Sequence, residues 1–493
     1  MLAVVLRLDT FTILTEYKKA IYNMKEYIYG KKRKRAVRRS VDLLDGPIAG
    51  SLAKLALPIM GTSLIQMAYN LTDMIWIGRI GSNAVAAVGV CGMFMWLSNG
   101  IAAVPRLGAQ VKVGQALGAG HEQRAVEYTQ TGIQLGIFLA ALVTLIYTFG
   151  NEGLIGFFKL NHESVSNDAR IYLIIVGAGM IFTFMNQIFS GLFTAMGNSI
   201  VTFKVTTVGL AINFLLDPAL IFGIGPLPTL KVAGAAIATV LAQAIVFFLY
   251  MLVVMGDSKI FQKVKLWRIA GFRHYREVIR IGFPGSIQNI IFSAISMIIA
   301  RLIAGWGDAA VAVQKVGSQI ESISWMTADG FASAVNAFTA QNFGAGKKER
   351  IRRGYYTAAG IITVWGICTS LALICIPQVF FRIFITEADI LPMGVDYLRI
   401  IGFSQLFMCM EITSSGAFQG LGRPVFPAAT GIVLTVARIP MAVALSATIL
   451  GLNGIWWSIS ISSILKGILI TVGFVLLLRR YMNHTEKFYS KDR

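Results

Sequence analysis

Two aspartates stand in stretches of sequence that are otherwise apolar, and carboxylates in such surroundings are candidates for ion or proton chemistry. Asp73 lies in MAYNLTDMIWIG and Asp217 lies in INFLLDPALIFG. Asn213 precedes Asp217 by four residues, so the two would share one face of a helix. Two carboxylates in one pocket of low dielectric cannot both ionise cheaply, so such a pair would bind and release a proton near physiological pH.

The same oxygen atoms also suit Na⁺, a hard cation, and the hydroxyl of Thr239 would add to those of Asp73, Asn213 and Asp217. Each residue has a structural interpretation as well. Asp73 could mark a helix end at the outer interface, and Asp217 could cap a bend before Pro218. Asn213 and Thr239 could serve only as hydrogen-bonding groups between helices.

The second half of the chain carries its own polar side chains in apolar surroundings, and these are secondary candidates. They are Gln288, Asn289, Lys315, Gln319, Glu321, Asp329 and Glu411. We interpret Lys315 and Glu321 as a structural ion pair. Asp329 has no obvious partner nearby in the sequence, which keeps it as a candidate for function.

The composition places these residues in a lipid bilayer. Of the 493 residues 56% are hydrophobic and 14% are charged, against about 25% charged in an ordinary soluble domain. This excludes a water-soluble protein of this length. The net charge of +20 is assigned to cytoplasmic loops rather than to nucleic-acid binding. The cysteines and histidines show no disulfide or metal spacing, so we expect no cofactor.

Twelve apolar stretches are each long enough to cross ~30 Å of hydrocarbon as a helix. Their approximate bounds are 52–79, 84–110, 124–150, 168–196, 200–225, 230–255, 277–303, 309–338, 352–377, 390–420, 424–449 and 452–479. This predicts an all-α integral membrane protein with a basic N-terminal tail (1–45), a linker (256–276) and a C-terminal tail (484–493). The Lys and Arg residues concentrate in alternate loops, so the positive-inside rule predicts a cell-membrane protein with both termini in the cytoplasm.

An internal repeat divides these helices into two lobes. Pro58 and Pro284 lie 226 residues apart in similar surroundings, and the same offset aligns QALGAG (115–120) with QNFGAG (341–346). Further along, at an offset of 225, FSGLFTAMGNSIVTF (189–203) matches SSGAFQGLGRPVFPA (414–428). The sequence therefore predicts two pseudo-symmetric six-helix lobes, 46–255 and 277–483, as in secondary transporters that rock. The counterparts of Asp73 and Asp217 are Ile299 and Ala442, so only the first lobe has these carboxylates.

These motifs together resemble the multidrug and toxic compound extrusion (MATE) family over nearly all of residues 46–480. The resemblance rests on LALPIMG, LTDMIWIGRIG, the two Gly-Ala-Gly loops, INFLLDPALIFG, GAAIAT, IGFPGSIQN and GAFQGLGRP. It implies a cation site in the first lobe formed by two aspartates, an asparagine and a threonine, which match Asp73, Asn213, Asp217 and Thr239.

The second lobe departs from the family pattern. Some members carry an acidic residue in helix 7 and another in helix 10, where this chain has Phe292 and Met408. Glu411, about one turn after Met408, is the nearest substitute. We expect cargo to contact Gln66, Tyr69, Gln288, Phe292 and Met408, and we expect helix 1 to bend at Pro58.

The leading interpretation is a cation-coupled (H⁺ or Na⁺) antiporter that exports drugs or other lipophilic and cationic small molecules by alternating access. We expect it to work as a monomer. One alternative is a flippase for lipid-linked oligosaccharides. It would need several basic residues in the cleft, and the candidates here, Lys315 and Arg438, are few. A more remote alternative is a membrane-embedded lipid-modifying enzyme, but the helices carry neither HExxH nor G-x-S-x-G.

Overall fold

The computed structural model describes residues 40–158, 163–223, 228–256, 260–384, 387 and 389–483. The chain divides into a short unit, Met1–Val41, and a helical unit, Asp42–Arg493. Most of the predicted N-terminal tail, and all of the tail 484–493, lie outside the described residues. In the described part of the helical unit, all regular secondary structure is helical.

The first lobe, or N-lobe, has six long segments, of which the fourth is broken at Gly179. Their bounds are Ile48–Gly78 (α1), Ser82–Gly118 (α2), Glu122–Phe149 (α3), Glu163–Ala178 with Met180–Ala195 (α4), Ser199–Phe222 (α5) and Lys231–Met255 (α6). A short helix, Asn151–Gly156, precedes α4, and a 3₁₀ turn, Phe261–Lys263, follows α6.

The second lobe, or C-lobe, repeats this order, with its fourth and fifth segments broken. Its bounds are Phe272–Ala304 (α7), Asp308–Gly344 (α8), Lys348–Cys375 (α9), Leu391–Gly402 with Gln405–Gly420 (α10), Val425–Val436 with Arg438–Ser446 (α11) and Leu452–Asn483 (α12). A short helix, Pro377–Arg382, precedes α10. Helix α7 begins five residues before the span predicted for it.

Length and composition fit these segments to a membrane. Within the described residues nine helices are long and apolar enough to cross it, and the two halves of α4, bent by 50° at their break, make a tenth. The remaining two segments are α8 and α10, which carry the candidate carboxylates Glu321, Asp329 and Glu411. The all-α fold with twelve segments in two lobes is therefore confirmed.

The two lobes share helix bounds as well as sequence. Helices α2 and α8 begin and end 226 residues apart, and so do α3 and α9. The turns that follow α2 and α8 both pass through a glycine in the left-handed region, Gly120 with φ 73° and Gly346 with φ 69°. Residues with a Cβ rarely adopt this conformation, which explains the glycine at the end of both Gly-Ala-Gly motifs.

We call the membrane face at which α6 ends and α7 begins the linker face. Helices α2 and α8 also end there, and their backbones meet. A Cβ built on Gly118 would lie 1.9 Å from the carbonyl oxygen of Gln341, and one built on Gly344 would lie 1.9 Å from that of Gln115. The contact is reciprocal, because Gln341 and Gly344 are the repeat counterparts of Gln115 and Gly118. Only glycine permits so close an approach.

The same two glutamines hydrogen-bond across the lobes. Gln115 Nε2 donates to the carbonyl of Gly420 at 3.0 Å, and Gln341 Nε2 donates to the carbonyl of Ala195 at 2.6 Å. Gly420 and Ala195 are themselves repeat counterparts at the offset of 225. Backbone contact and paired hydrogen bonds thus close the cleft between the lobes at the linker face.

The segment that leads into each lobe is bound by the other lobe. Before α1, the carbonyl of Leu43 accepts hydrogen bonds from Asn342 Nδ2 at 3.0 Å and Arg350 Nε at 3.1 Å. In the linker before α7, the carbonyl of Leu266 accepts a hydrogen bond from Gln134 Nε2 of α3 at 2.7 Å. The entry segments therefore cross between the lobes and add to the closure of the linker face.

Candidate functional site

Asp217 is fully buried on α5, between α1 and α6. Helix α5 continues through Pro218 to Phe222 and is followed by Gly223, whose φ of 71° is left-handed. Asp217 is therefore inside the helix and does not cap a bend. Asn213 is also buried, one turn earlier, and lies beside the Asp217 carboxyl. Among the described residues, neither carboxylate oxygen of Asp217 has a geometrically sound hydrogen-bond partner.

Asp73 is half-buried on α1, five residues before that helix ends at Gly78. It lies within electrostatic range of Asp217, and its Oδ1 atom is buried without a hydrogen-bond partner in the described part of the chain. Tyr172 of α4 lies within electrostatic range of both carboxyls. Asp73 thus faces the interior of the N-lobe, and its position near the helix end does not make it an interfacial residue.

Thr239 of α6 completes the group. Its Oγ1 atom lies 3.5 Å from Tyr69 Oη of α1, and Tyr69 is within electrostatic range of both aspartates. The structure therefore brings together all four residues predicted for the N-lobe cation site, with Tyr69 and Tyr172 beside them. Tyr172 was missed by sequence reasoning, although its counterpart at the offset of 225 is another tyrosine, Tyr397.

The group is acidic and rich in oxygen. No basic side chain in the described residues forms an ion pair with Asp73 or Asp217. Nor does the described part of the chain contain a group of three or more Asp, Glu, His or Cys residues arranged to hold a metal ion. Two carboxylates, an amide and hydroxyls fit one monovalent hard cation or a proton, and the unpartnered oxygens of Asp217 provide the acceptors.

The C-lobe candidates lie in a different environment. Glu411 of α10 and Lys466 of α12 form a buried ion pair, with Oε1 and Nζ 3.0 Å apart. Arg438 of α11 donates to the hydroxyls of Ser462 at 2.6 Å and Ser463 at 3.0 Å. The charge of Glu411 is thus already balanced, which disfavours it as a substitute cation ligand.

The predicted ion pair of Lys315 with Glu321 is not formed. Tyr397 Oη donates to Glu321 at 3.5 Å and Gln405 Nε2 donates at 3.4 Å, whereas Lys315 is exposed. The two residues are six positions apart, and at about 100° per residue this places them on different faces of α8. The prediction was wrong because nearness in sequence does not place two residues on the same face of a helix.

The repeat explains why the lobes differ electrostatically. Arg438 occupies the position that corresponds to Asn213, and Ala442 the position that corresponds to Asp217. Where the N-lobe has an amide and a carboxylate without a cation, the C-lobe has a guanidinium and a methyl group. An ion that binds between α1, α5 and α6 therefore has no equivalent site in the C-lobe.

The five residues expected to contact cargo fall in separate places. Gln66 and Tyr69 lie one turn apart on α1, and Tyr69 belongs to the N-lobe group. Gln288 lies against Gly431 of α11, and the Phe292 ring lies under the Arg438 guanidinium at 5.6 Å. Met408 is half-buried on α10.

Asp329 lies in the cleft between the lobes. It lines a cavity together with Arg106 of α2, which is within electrostatic range of it. Arg106 was also missed by sequence reasoning. The signal was an arginine inside a predicted helix (84–110). A charged side chain at that depth in the membrane costs several kcal/mol, so an arginine there is a candidate for function.

Comparisons with known proteins follow this architecture. The MatE family model matches residues 58–219 and 284–444, one match in each lobe. The Probable multidrug resistance protein NorM of Thermotoga maritima is 28% identical over 415 residues, which cover 83% of this chain and 88% of that protein. The FAD transporter of Shewanella oneidensis is 25% identical, with 86% and 94% covered.

Solved structures share the fold. MATE in complex with MaL6 aligns with a TM-score of 0.84 at 21% identity, covering 90% of this chain and 100% of the other. A multidrug resistance MATE family transporter of the MOP superfamily, in an outward-facing conformation, aligns with a TM-score of 0.83 at 22% identity, with 90% and 99% covered. Since the family model covers more than half of the chain and matches both lobes, the chain belongs to the multidrug and toxic compound extrusion (MatE) family of membrane transporters.

Proposed function

We propose that this protein is a cation-coupled antiporter that exports multiple drugs or other lipophilic and cationic small molecules. The observation that supports it best is the pair of carboxylates, Asp73 and Asp217, which share the N-lobe interior without a basic partner among the described residues. Uncompensated charge inside a membrane is costly and is kept where it serves transport. Either H⁺ or Na⁺ would relieve the repulsion between the two carboxylates.

Coupling requires that the cation and the cargo prefer different conformations of the protein. Binding of H⁺ or Na⁺ at Asp73 and Asp217 would draw α1 and α5 together and favour one packing of the N-lobe. Pro58 lies inside α1, where it removes one backbone hydrogen bond and allows the helix to bend. Cargo would favour the other packing, so movement of the cation down its gradient would drive export.

The closure of the two lobes at one membrane face supports an alternating-access mechanism. The lobes are closed at the linker face, and the exposed carboxylate of Asp329 lies on the wall of the cleft above this closure. We propose that the linker face is cytoplasmic, because it carries the Lys- and Arg-rich loops, and that the protein works as a monomer in the cell membrane.

Two other cargoes come second. A lipid-linked oligosaccharide would require several basic side chains in the cleft, and the cavity between the lobes is lined by one, Arg106. FAD is the cargo named for the Shewanella oneidensis relative. Both are added as competitors in the experiment that follows, and strong competition by either would move it to first place.

The experiment is transport of ethidium by protein reconstituted in lipid vesicles, with a pH gradient and a Na⁺ gradient imposed separately. We expect one gradient to drive transport. Asp73→Asn and Asp217→Asn should lower the gradient-driven rate by a factor on the order of 10 to 100. This factor corresponds to the usual coupling free energy of about 1–3 kcal/mol. Ethidium binding without a gradient should change less.

The matched control is Asp308→Asn, which removes an exposed carboxylate at the start of α8. It should transport at the unmodified rate. Gradient-driven transport at full rate by Asp217→Asn would contradict the proposal, and so would equal losses in Asp217→Asn and Asp308→Asn.

A further inference from the structure

A small polar cavity lies between the two lobes, separate from the N-lobe cation site. Its volume is about 160 Å³. The N-lobe contributes side chains from α1, α2, α4 and α5, and the C-lobe contributes Asp329 and Ser333 of α8. Serine and threonine residues are among those that line it, such as Thr62, Ser190 and Thr194. Polar groups placed in a cavity of an otherwise apolar fold can fix the orientation of a ligand.

Two opposite charges line this cavity from different lobes. Arg106 is on α2 and Asp329 is on α8. They are within electrostatic range, yet the described residues form no ion pair between them, since no nitrogen and oxygen approach within 4.0 Å. The charges thus attract each other across a gap that neither side chain closes.

The guanidinium of Arg106 is held in place but not saturated. Its aliphatic stem packs against Gly191 of α4, where an added Cβ would lie 3.0 Å from Arg106 Cγ. Its Nε atom is buried and has no hydrogen-bond partner among the described residues. Because guanidinium groups recognise carboxylate and phosphate through parallel N–H donors, the guanidinium of a cavity-lining arginine that pairs with no carboxylate among the described residues suits an anionic group of a ligand.

The opposite wall suits a cation. The side chain of Asp329 has a large solvent-accessible surface, yet protein surrounds it closely. Both are expected for a side chain on the wall of an internal cleft. Gln110 of α2 lies at the same cavity and donates to the Ser333 carbonyl at 3.4 Å. This bond joins the lobes, so the cavity would change shape when the lobes move.

We infer that this cavity binds a zwitterionic group of the cargo, with its anionic part at Arg106 and its cationic part at Asp329. The inference rests on the proposed transport function and adds a class of cargo to it. The volume is below the roughly 300 Å³ at which drug-sized pockets begin, so the cavity holds a charged group while the apolar remainder of the cargo lies in the cleft. A bridging zwitterion would also favour the conformation in which both walls are in reach.

The test compares two dyes that differ by one methyl group, tetramethylrhodamine and its methyl ester. The first carries a xanthylium cation and a carboxylate, and the second carries only the cation. Binding to the purified full-length protein is measured by fluorescence anisotropy without any gradient. We expect the zwitterion to bind about tenfold more tightly than the ester, a difference of about 1.4 kcal/mol.

The variants assign this preference to residues. Arg106→Gln should abolish the difference by weakening only the zwitterion, and Arg106→Lys should keep part of it. Asp329→Asn should weaken both dyes, since both carry the cation. The matched control is Arg301→Gln, an exposed arginine near the end of α7, which should leave both affinities unchanged.

Equal affinities of the two dyes for the unmodified protein would overturn the inference. An equal loss of affinity for both dyes in Arg106→Gln would also overturn it. If Arg106→Gln does not fold, loss of the affinity difference between the dyes in the control Arg301→Gln would overturn the inference as well. Because no gradient is present, the outcome is independent of coupling: zwitterion preference without gradient-driven transport would support the site and reject the antiporter.

A zwitterionic group can belong to a soluble molecule or to a lipid head group. The dyes are therefore also measured in vesicles of phosphatidylglycerol and in vesicles of phosphatidylcholine. Equal zwitterion affinity in the two bilayers supports the site with a soluble cargo. Loss of binding in phosphatidylcholine alone supports the site with a lipid head group as its occupant.

Discussion

A single methyl group at the closure of the linker face should change the balance between the two conformations of the transporter. In Gly118→Ala the added Cβ would lie 1.9 Å from the Gln341 carbonyl oxygen, whereas real Cβ atoms essentially never approach within 3.0 Å. The backbones of α2 and α8 must therefore separate by about 1.1 Å, the difference between these two distances. Side chains cannot absorb this shift, because the clash is with backbone.

Overpacking of this kind costs about 1–3 kcal/mol. If the cost falls only on the conformation closed at the linker face, the equilibrium moves toward the open one by a factor of about 5 to 150. Gly344→Ala should have the same effect, because it meets the Gln115 carbonyl at the same 1.9 Å. The double variant should add little, since either methyl group already breaks the shared contact.

The assay is a distance distribution between spin labels at Gln123 and Arg352, which are exposed on opposite lobes, after serine replaces the two exposed cysteines. We expect a larger population at long distance in Gly118→Ala. Gly360→Ala is the matched control, because a Cβ at that helical glycine meets nothing within 4 Å. An unchanged distribution in folded Gly118→Ala would refute the reasoning.

Two further predictions concern the C-lobe and the topology. Glu411→Gln or Lys466→Gln leaves an unpaired buried charge or acceptor and should lower the free energy of unfolding by about 3–5 kcal/mol, measured by thermal unfolding in detergent. Glu152→Gln, which breaks only an exposed pair, should cost less than ~1 kcal/mol. A membrane-impermeant thiol reagent added to intact cells should label Ser164→Cys and spare Lys263→Cys, and the reverse pattern would overturn the assignment of the linker face to the cytoplasm.

The sequence predicts the helices, the repeat and the N-lobe group because each leaves a local or periodic signal. Long apolar stretches define the segments, and a constant offset aligns the lobes. An isolated carboxylate such as Asp217 stands out against apolar neighbours. Asn213 follows from its spacing alone.

The remaining partners come from distant parts of the chain, and no local pattern brings them together. Lys466 meets Glu411 across 55 positions, and Arg106 faces Asp329 across 223. Such contacts depend on how α12 and α8 pack. The pairing of Lys315 with Glu321 failed for the opposite reason, since nearness in sequence does not set direction around a helix.

The reciprocal contact at the linker face has the form of a subunit interface. Gly118 meets Gln341 as Gly344 meets Gln115, which is the pattern of a two-fold symmetric homodimer, where the same patch serves both partners. Two separate copies of one six-helix chain would make the same contact. Because both halves belong to one chain here, each can vary alone, and the carboxylates at 73 and 217 and the arginine at 438 are differences that no homodimer could carry.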